Sequence, residues 1–195
     1  MEGAELGVLS RYPAVPRWLL TVHDYHRMGE AGILTEDERV ELIEGQLIAM
    51  PPPCPEHTAS TNSMNRLLVL AVGDRGIVSV GNPVRLNRFN EPQPDFSVLK
   101  PRDDYRRMTP RPEDTMLAVE VSNSSLAYDR TVKLALYARS GIPEVWIVNW
   151  GAAEVEIHRS PVGDEYTSFA RVGRGAHLTI EALPDTTISV DAIFA

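Results

Sequence analysis

The stretch MLAVEVSNSSLAYDRTVKLALYARSGIPEVWIVN, residues 116–149, decides the fold. Its first seven residues are apolar apart from Glu120 and the closing Ser122. That is the composition of a central strand covered on both faces. Ser124 or Ser125 suits the cap of a helix that runs through DRTVKLALYARS to about Arg139. Gly141 falls where a helix ends in the left-handed conformation, and Pro143 lies just beyond. EVWIVN, residues 144–149, then reads as a second buried strand. A strand–helix–strand order predicts two parallel strands joined by a right-handed crossover, and hence the α/β class.

Working upstream, PDFSVL (94–99) is a strand candidate, and so is 77–87, with a break at Gly81-Asn82-Pro83. A charged loop with prolines separates 100 from 114. Residues 56–72 show helical spacing, with Gly73 as a stop. RVELIEGQLIAM (39–50) reads as two short strands turning at Glu44-Gly45 and ended by Pro51–Pro53. Thr21 with Asp24 three residues on is a capping-box variant for a helix from about Val22 to Met28. Residues 1–17 lack periodicity and read as a loose arm, leaving 18–195 as one domain. Downstream, strands are expected near 153–158 and 166–171, then a tail rich in Thr, Ile and Val.

Composition narrows the function. With 43% hydrophobic and 24% charged residues, the 195-residue chain is an ordinary globular protein. Its apolar runs are too short to span a membrane. The sequence shows no secretory signal, and a single cysteine, Cys54, fits a reducing cytoplasm. A net charge of −8 argues against a protein that coats nucleic acid, because phosphate contacts need clustered cations. One basic segment does exist: Lys100, Arg102, Arg106, Arg107 and Arg111, either a solvated loop or one facing DNA.

Two acids stand where chemistry would need them. A carboxylate inside a buried strand costs free energy unless it is paired or binds a metal. Glu120 is either in a structural ion pair or functional. Asp95 opens the preceding strand after Pro94. Two carboxylates on adjacent strands could share one Mg²⁺ ion, which prefers hard oxygen ligands. Lys133 lies on the following helix, one turn from Asp129 and one from Tyr137; it either pairs with Asp129 on the surface or reaches over the strand ends. His23 and His26 read as surface residues, Trp146 and Tyr137 as core.

The segments VELIEGQLIAMPP, Glu56-His57, QPDFSVL, LAVEVSNSS and DRTVKLALYARSGIPEVWIV together resemble the prokaryotic putative restriction endonuclease family of the PD-(D/E)XK nuclease superfamily, first catalogued as a domain of unknown function. The resemblance implies a restriction-endonuclease-like core, a mixed central β-sheet flanked by helices. It also implies a metal-dependent endonuclease acting on DNA. Asp95 and Glu120, with the carbonyl of Val121, would hold Mg²⁺ or Mn²⁺, and Lys133 would stand in for the lysine that the simple motif has at Ser122. Glu41 best matches the family's acid in the first hairpin, with Glu44 next. His57, Ser122 and Asp129 are accessory candidates. Cutting both strands of a duplex would suit a homodimer, with Ile188, Val190, Ile193 and Phe194 as interface or core cap. The alternative is an inactive nuclease-fold protein that binds nucleic acid or protein.

Overall fold

In the computed structural model the described residues are 16–35, 37–52 and 55–195, the side chain of Glu56 excepted. The expected arm thus lies outside them apart from Pro16 and Arg17. The fold is organised by β5 (Thr115–Ser122), every residue of which is buried. It pairs in parallel with β6 (Glu144–Asn149), Glu120 opposite Ile147. The other neighbours are antiparallel, giving a mixed six-stranded sheet ordered β3-β4-β5-β6-β7-β8. β3 is Ile77–Val80, β4 Phe96–Leu99, β7 Glu154–Val162 and β8 Glu165–Gly173.

Alternation of side chains divides the sheet. Phe96, Val98, Leu117, Val119, Val121, Trp146 and Val148 point to one face and form the main core with Met64, Leu68 and Val72 of helix α2 (Pro55–Val72). Burying each of these large side chains contributes roughly 1.5–3 kcal/mol. The C-terminal segment closes the same face: β9 (His177–Ile180) and β10 (Leu183–Ser189) make a second small sheet, and α5 (Val190–Ile193) follows. Ile188, Val190, Ile193 and Phe194 are buried there, with Phe194 against Trp150 at 5.3 Å between rings. They cap the core and are not available as dimer interface. Ala118, Glu120 and Ser122 point to the other face, under the crossover between β5 and β6.

That crossover is not one regular helix. It comprises α3 (Leu126–Tyr128), a π-helical turn at Asp129–Lys133, and α4 (Leu134–Arg139). The expected serine cap does not form: Ser125 has a helical backbone, and its hydroxyl donates to Asp129 Oδ2 at 2.6 Å instead. The wider π turn brings Asp129, Lys133 and Tyr137 all to the sheet side, where each is buried. Single π turns of this kind recur at functional sites. Gly141 follows at φ +79°, as its place in the sequence implies.

The upstream elements frame one end of β5. Helix α1 (Val22–Glu30) starts with the capping box of Thr21 and Asp24 and runs two residues past its expected end. The strand expected over 77–87 stops at Val80, because Gly81 has φ +60° and Pro83 cannot donate to a ladder. The chain instead wraps the β1–β2 hairpin, with Glu91 N–H donating to Leu42 O at 2.8 Å and Gly45 N–H to Phe89 O at 2.9 Å. That hairpin is β1 (Val40–Ile43) and β2 (Gln46–Ala49), joined through Glu44 and Gly45, both with positive φ. Two-residue turns of this handedness match strand twist and favour glycine.

Gly45 is the hairpin residue least replaceable on steric grounds. Its φ is +73°, and an added Cβ would sit 2.6 Å from Leu19 Cβ. Gly45→Ala is expected to lower stability by about 1–3 kcal/mol in urea unfolding; an unchanged midpoint would mean that the segment at Leu19 and Leu20 does not pack tightly on the hairpin turn.

Candidate active site

Four separate elements deliver charged side chains to one cleft of about 360 Å³ at the end of β5. β1 contributes Glu41, the residue before β4 contributes Asp95, β5 contributes Glu120, and the π turn contributes Lys133. Asp95 and Glu120 share a sheet face: Asp95 aligns with Ser97, Ser97 pairs with Ala118, and Glu120 is two residues on from Ala118. Both carboxylates line the cleft.

Lys133 is the hub. Its ammonium lies 3.3 Å from Glu41 Oε2 and 3.2 Å from Glu120 Oε1, and all three side chains are almost wholly buried. The Asp129–Lys133 surface pair is therefore absent. Asp129 is buried too, and accepts the hydroxyls of Ser122 at 2.7 Å and Ser125 at 2.6 Å. Ser122 thus positions a helix residue from within the sheet. Burial alone would lower the Lys133 pKa, but Glu120, Glu41, Asp129 and Asp95 outweigh it and raise it. The side chain stays an ammonium.

Glu120 responds in the opposite sense for a related reason. Burial raises its pKa, Asp129 and Asp95 add to the rise, and Lys133 and the Tyr137 hydroxyl offset only part; the result is about 8. Tyr137 donates to Glu120 Oε1 at 2.6 Å. Sequence reading gave Tyr137 a core role alone; its i+4 spacing from Lys133 was the available signal for more. Glu41 is held by longer bonds: Gln93 N–H donates to its Oε2 at 3.1 Å, and Tyr128 O–H to its Oε1 at 3.3 Å. Burial and Glu41 keep the Tyr128 phenol protonated far up the pH scale.

Asp95 is the more open acid. Its Oδ2 accepts the Val121 N–H at 2.7 Å, which ties the start of β4 to the end of β5. His57, from the first turn of α2, spans the next gap. Its Nε2 lies 3.2 Å from Asp95 Oδ1, and its Nδ1 3.1 Å from the carbonyl oxygen of Val121. Facing two acceptors favours the imidazole with both nitrogens protonated. The hydrogen bond with Asp95 is the main cause of a raised His57 pKa.

The donor set suits a hard divalent ion. A carboxylate oxygen of Asp95 and the carbonyl of Val121 both face the His57 ring, one at each nitrogen, and a second carboxylate stands on the same sheet face. Among the described residues no three His, Cys, Asp or Glu side chains make a ready-formed metal cluster. Such an ion would use one or two carboxylates, a carbonyl and water, which is the habit of Mg²⁺. Glu44 is not part of the cleft: its side chain is exposed and pairs with Arg139 at 3.4 Å. His26 meets Glu91 at 2.6 Å, away from the cleft lining, and His23 is exposed. The basic loop lines a separate cleft along the edge strand β3, where Arg102 is held by Asp104 and Asp114.

Residues 22–191 match the family described as “Uma2: Putative restriction endonuclease”. Among solved structures, a chain from Anabaena variabilis ATCC 29413, titled “a putative nuclease belonging to DUF820”, superposes with a TM-score of 0.68 at 14% identity. The match covers 90% of this chain and 97% of that one. No curated protein matches. No helix among the described residues is long and apolar enough to cross a membrane.

The raised Glu120 pKa makes a signed prediction. An acid that is easier to protonate when folded adds stability below its ordinary pKa of 4.5, and that stability is lost as pH rises towards about 8. Glu120→Gln should remove this loss, so its stability relative to wild type should rise across that window by a few kcal/mol. Parallel urea-midpoint curves for the two proteins would mean that Glu120 is not held protonated by the fold.

Proposed function

The chain belongs to the Uma2 restriction-endonuclease family, and from that premise we propose that it is a metal-dependent endonuclease that hydrolyses phosphodiester bonds of DNA. The observation that carries this reading is the convergence of Glu41, Asp95, Glu120 and Lys133 from four elements on one cleft. Asp95, Glu120 and the Val121 carbonyl would hold Mg²⁺ or Mn²⁺. When bound, such an ion neutralises phosphate charge and lowers the pKa of a coordinated water.

The chain's own groups have separate tasks. The Val121 N–H fixes one oxygen of Asp95 and leaves the other turned to the His57 side of the cleft. Tyr137 donates to Glu120 Oε1 and fixes that carboxyl in place, so that in its ionised form it would serve as a ligand to the ion. Lys133 keeps an ammonium within the cleft wall, where it can orient water or balance charge that develops on the phosphate. Glu41, fixed by Gln93 and Tyr128, holds Lys133 in place. Two such chains in a two-fold dimer would meet both strands of a duplex. The single cysteine, Cys54, fits a reducing cytoplasm as the setting.

The test is incubation of purified protein with supercoiled plasmid and Mg²⁺, Mn²⁺ or EDTA. Nicking and linearisation are expected with metal alone, and Asp95→Asn should slow them at least ~100-fold. Lys133→Met should be equally slow and also less stable by roughly 3–5 kcal/mol, since it strands buried carboxylates. Intact plasmid under all conditions, with folded protein, would turn the assignment to a nuclease-fold binding module.

A further inference from the structure

A nuclease cleft must hold a polyanion, and this one is lined by Glu41, Asp95, Glu120 and Asp129. Among the described residues, three side chains on its wall can carry positive charge: Arg39, His57 and Lys133. Two of them are engaged. Lys133 lies between Glu41 and Glu120. His57 lies between Asp95 and the Val121 carbonyl.

Arg39 differs. It immediately precedes β1, and its carbonyl accepts from Met50 N–H at 2.8 Å, so it extends the hairpin ladder by one pair. Two residues from Glu41, it projects from the same side of the hairpin. Its side chain is exposed, and among the described residues its guanidinium makes one hydrogen bond, from Nη1 to the Pro51 carbonyl at 3.2 Å. A guanidinium has five N–H donors in a planar fork. The Pro51 contact uses one and steadies the plane, and the rest, with no partner among the described residues, can meet two oxygens side by side. A phosphate diester presents that pair, and arginine is the residue best matched to it.

We propose that Arg39 is the phosphate-binding position of the cleft, taking the non-bridging oxygens of a DNA phosphodiester at the mouth while the acids behind it serve the reaction. This rests on the nuclease reading. Arg39 is a positioning group there: it sets where the backbone lies and lowers the repulsion between phosphate and the acidic wall.

The experiment measures binding in EDTA, where cleavage is absent, by fluorescence anisotropy of a fluorescein-labelled DNA duplex across a salt titration. Arg39→Gln should weaken binding roughly tenfold. It should also make the plot of log K against log salt shallower by about 0.9, the signature of one lost phosphate contact. Arg39→Lys should keep the slope and lose part of the affinity, since charge is retained without the fork. Thermal unfolding should not change for either variant. If wild type binds and Arg39→Gln matches it in affinity and slope, the Arg39 assignment is overturned. If wild type binds no DNA at any salt concentration, either in EDTA or with Ca²⁺ in place of Mg²⁺, the nuclease reading itself fails.

Discussion

One ammonium joins three parts of this fold. Lys133 reaches from a π turn to Glu41 on the hairpin and Glu120 in the central strand, at 3.2–3.3 Å. Stability alone does not account for such an arrangement. Taking three ionisable groups out of water costs several kcal/mol per ion, and well-packed apolar residues in their place would often be neutral or stabilising. The same burial raises the Glu120 pKa to about 8, so a carboxyl at neutral pH is held largely protonated in the middle of a sheet. On the function proposed above, a divalent cation bound by these acids would relieve part of that cost. A short hydrogen bond from Tyr137 and longer ones from Tyr128 and Gln93 keep the acids aimed while that cost is borne.

Other features follow from the need to present these groups at one strand end. The main core lies on the opposite sheet face, where Trp146, Met64 and Leu68 are fully buried, so the polar cluster does not compete with it. The β1–β2 hairpin is too short to be stable alone; the strap at Leu20 and the 81–92 loop hold it against the domain. The crossover helix widens by one π turn so that Asp129, Lys133 and Tyr137 can all face the sheet. An unbroken α-helix would rotate these positions progressively away from one another.

How much of this could be read from residues alone varies with the kind of interaction. The central strands and their crossover were legible because long apolar runs bounded by Gly141 and Pro143 leave few alternatives. Thr21 and Asp24 gave the start of α1, because a capping box is local chemistry. The stretch after Val80 misled: Pro83 and Gly81 mark a break, and what looked like a resumed strand is a wrap held by long-range backbone bonds. At the site, the acidic side chains carried a local signal, since a lone acid in MLAVEVS needs a reason. Their partners did not. Beyond the i+4 spacing of Tyr137 from Lys133, nothing in the sequence says that Tyr137 donates to Glu120, that Ser122 supports Asp129, or that His57 spans from Asp95 to the Val121 carbonyl, for each joins residues brought together only by the fold. Asp129 and Lys133 at i and i+4 read equally well as a surface pair, and only tertiary burial separates the two.

The account turns on whether the Asp95 and Glu120 end of the cleft takes a divalent cation. Anomalous diffraction from crystals of the full chain soaked in Mn²⁺ measures that directly. An ion is expected against Asp95 and Glu120, with His57 displaced from the Val121 carbonyl, and no such ion in Asp95→Asn. Saturating Mn²⁺ that leaves His57 bridging Asp95 and Val121, with no ion in the cleft, would contradict it.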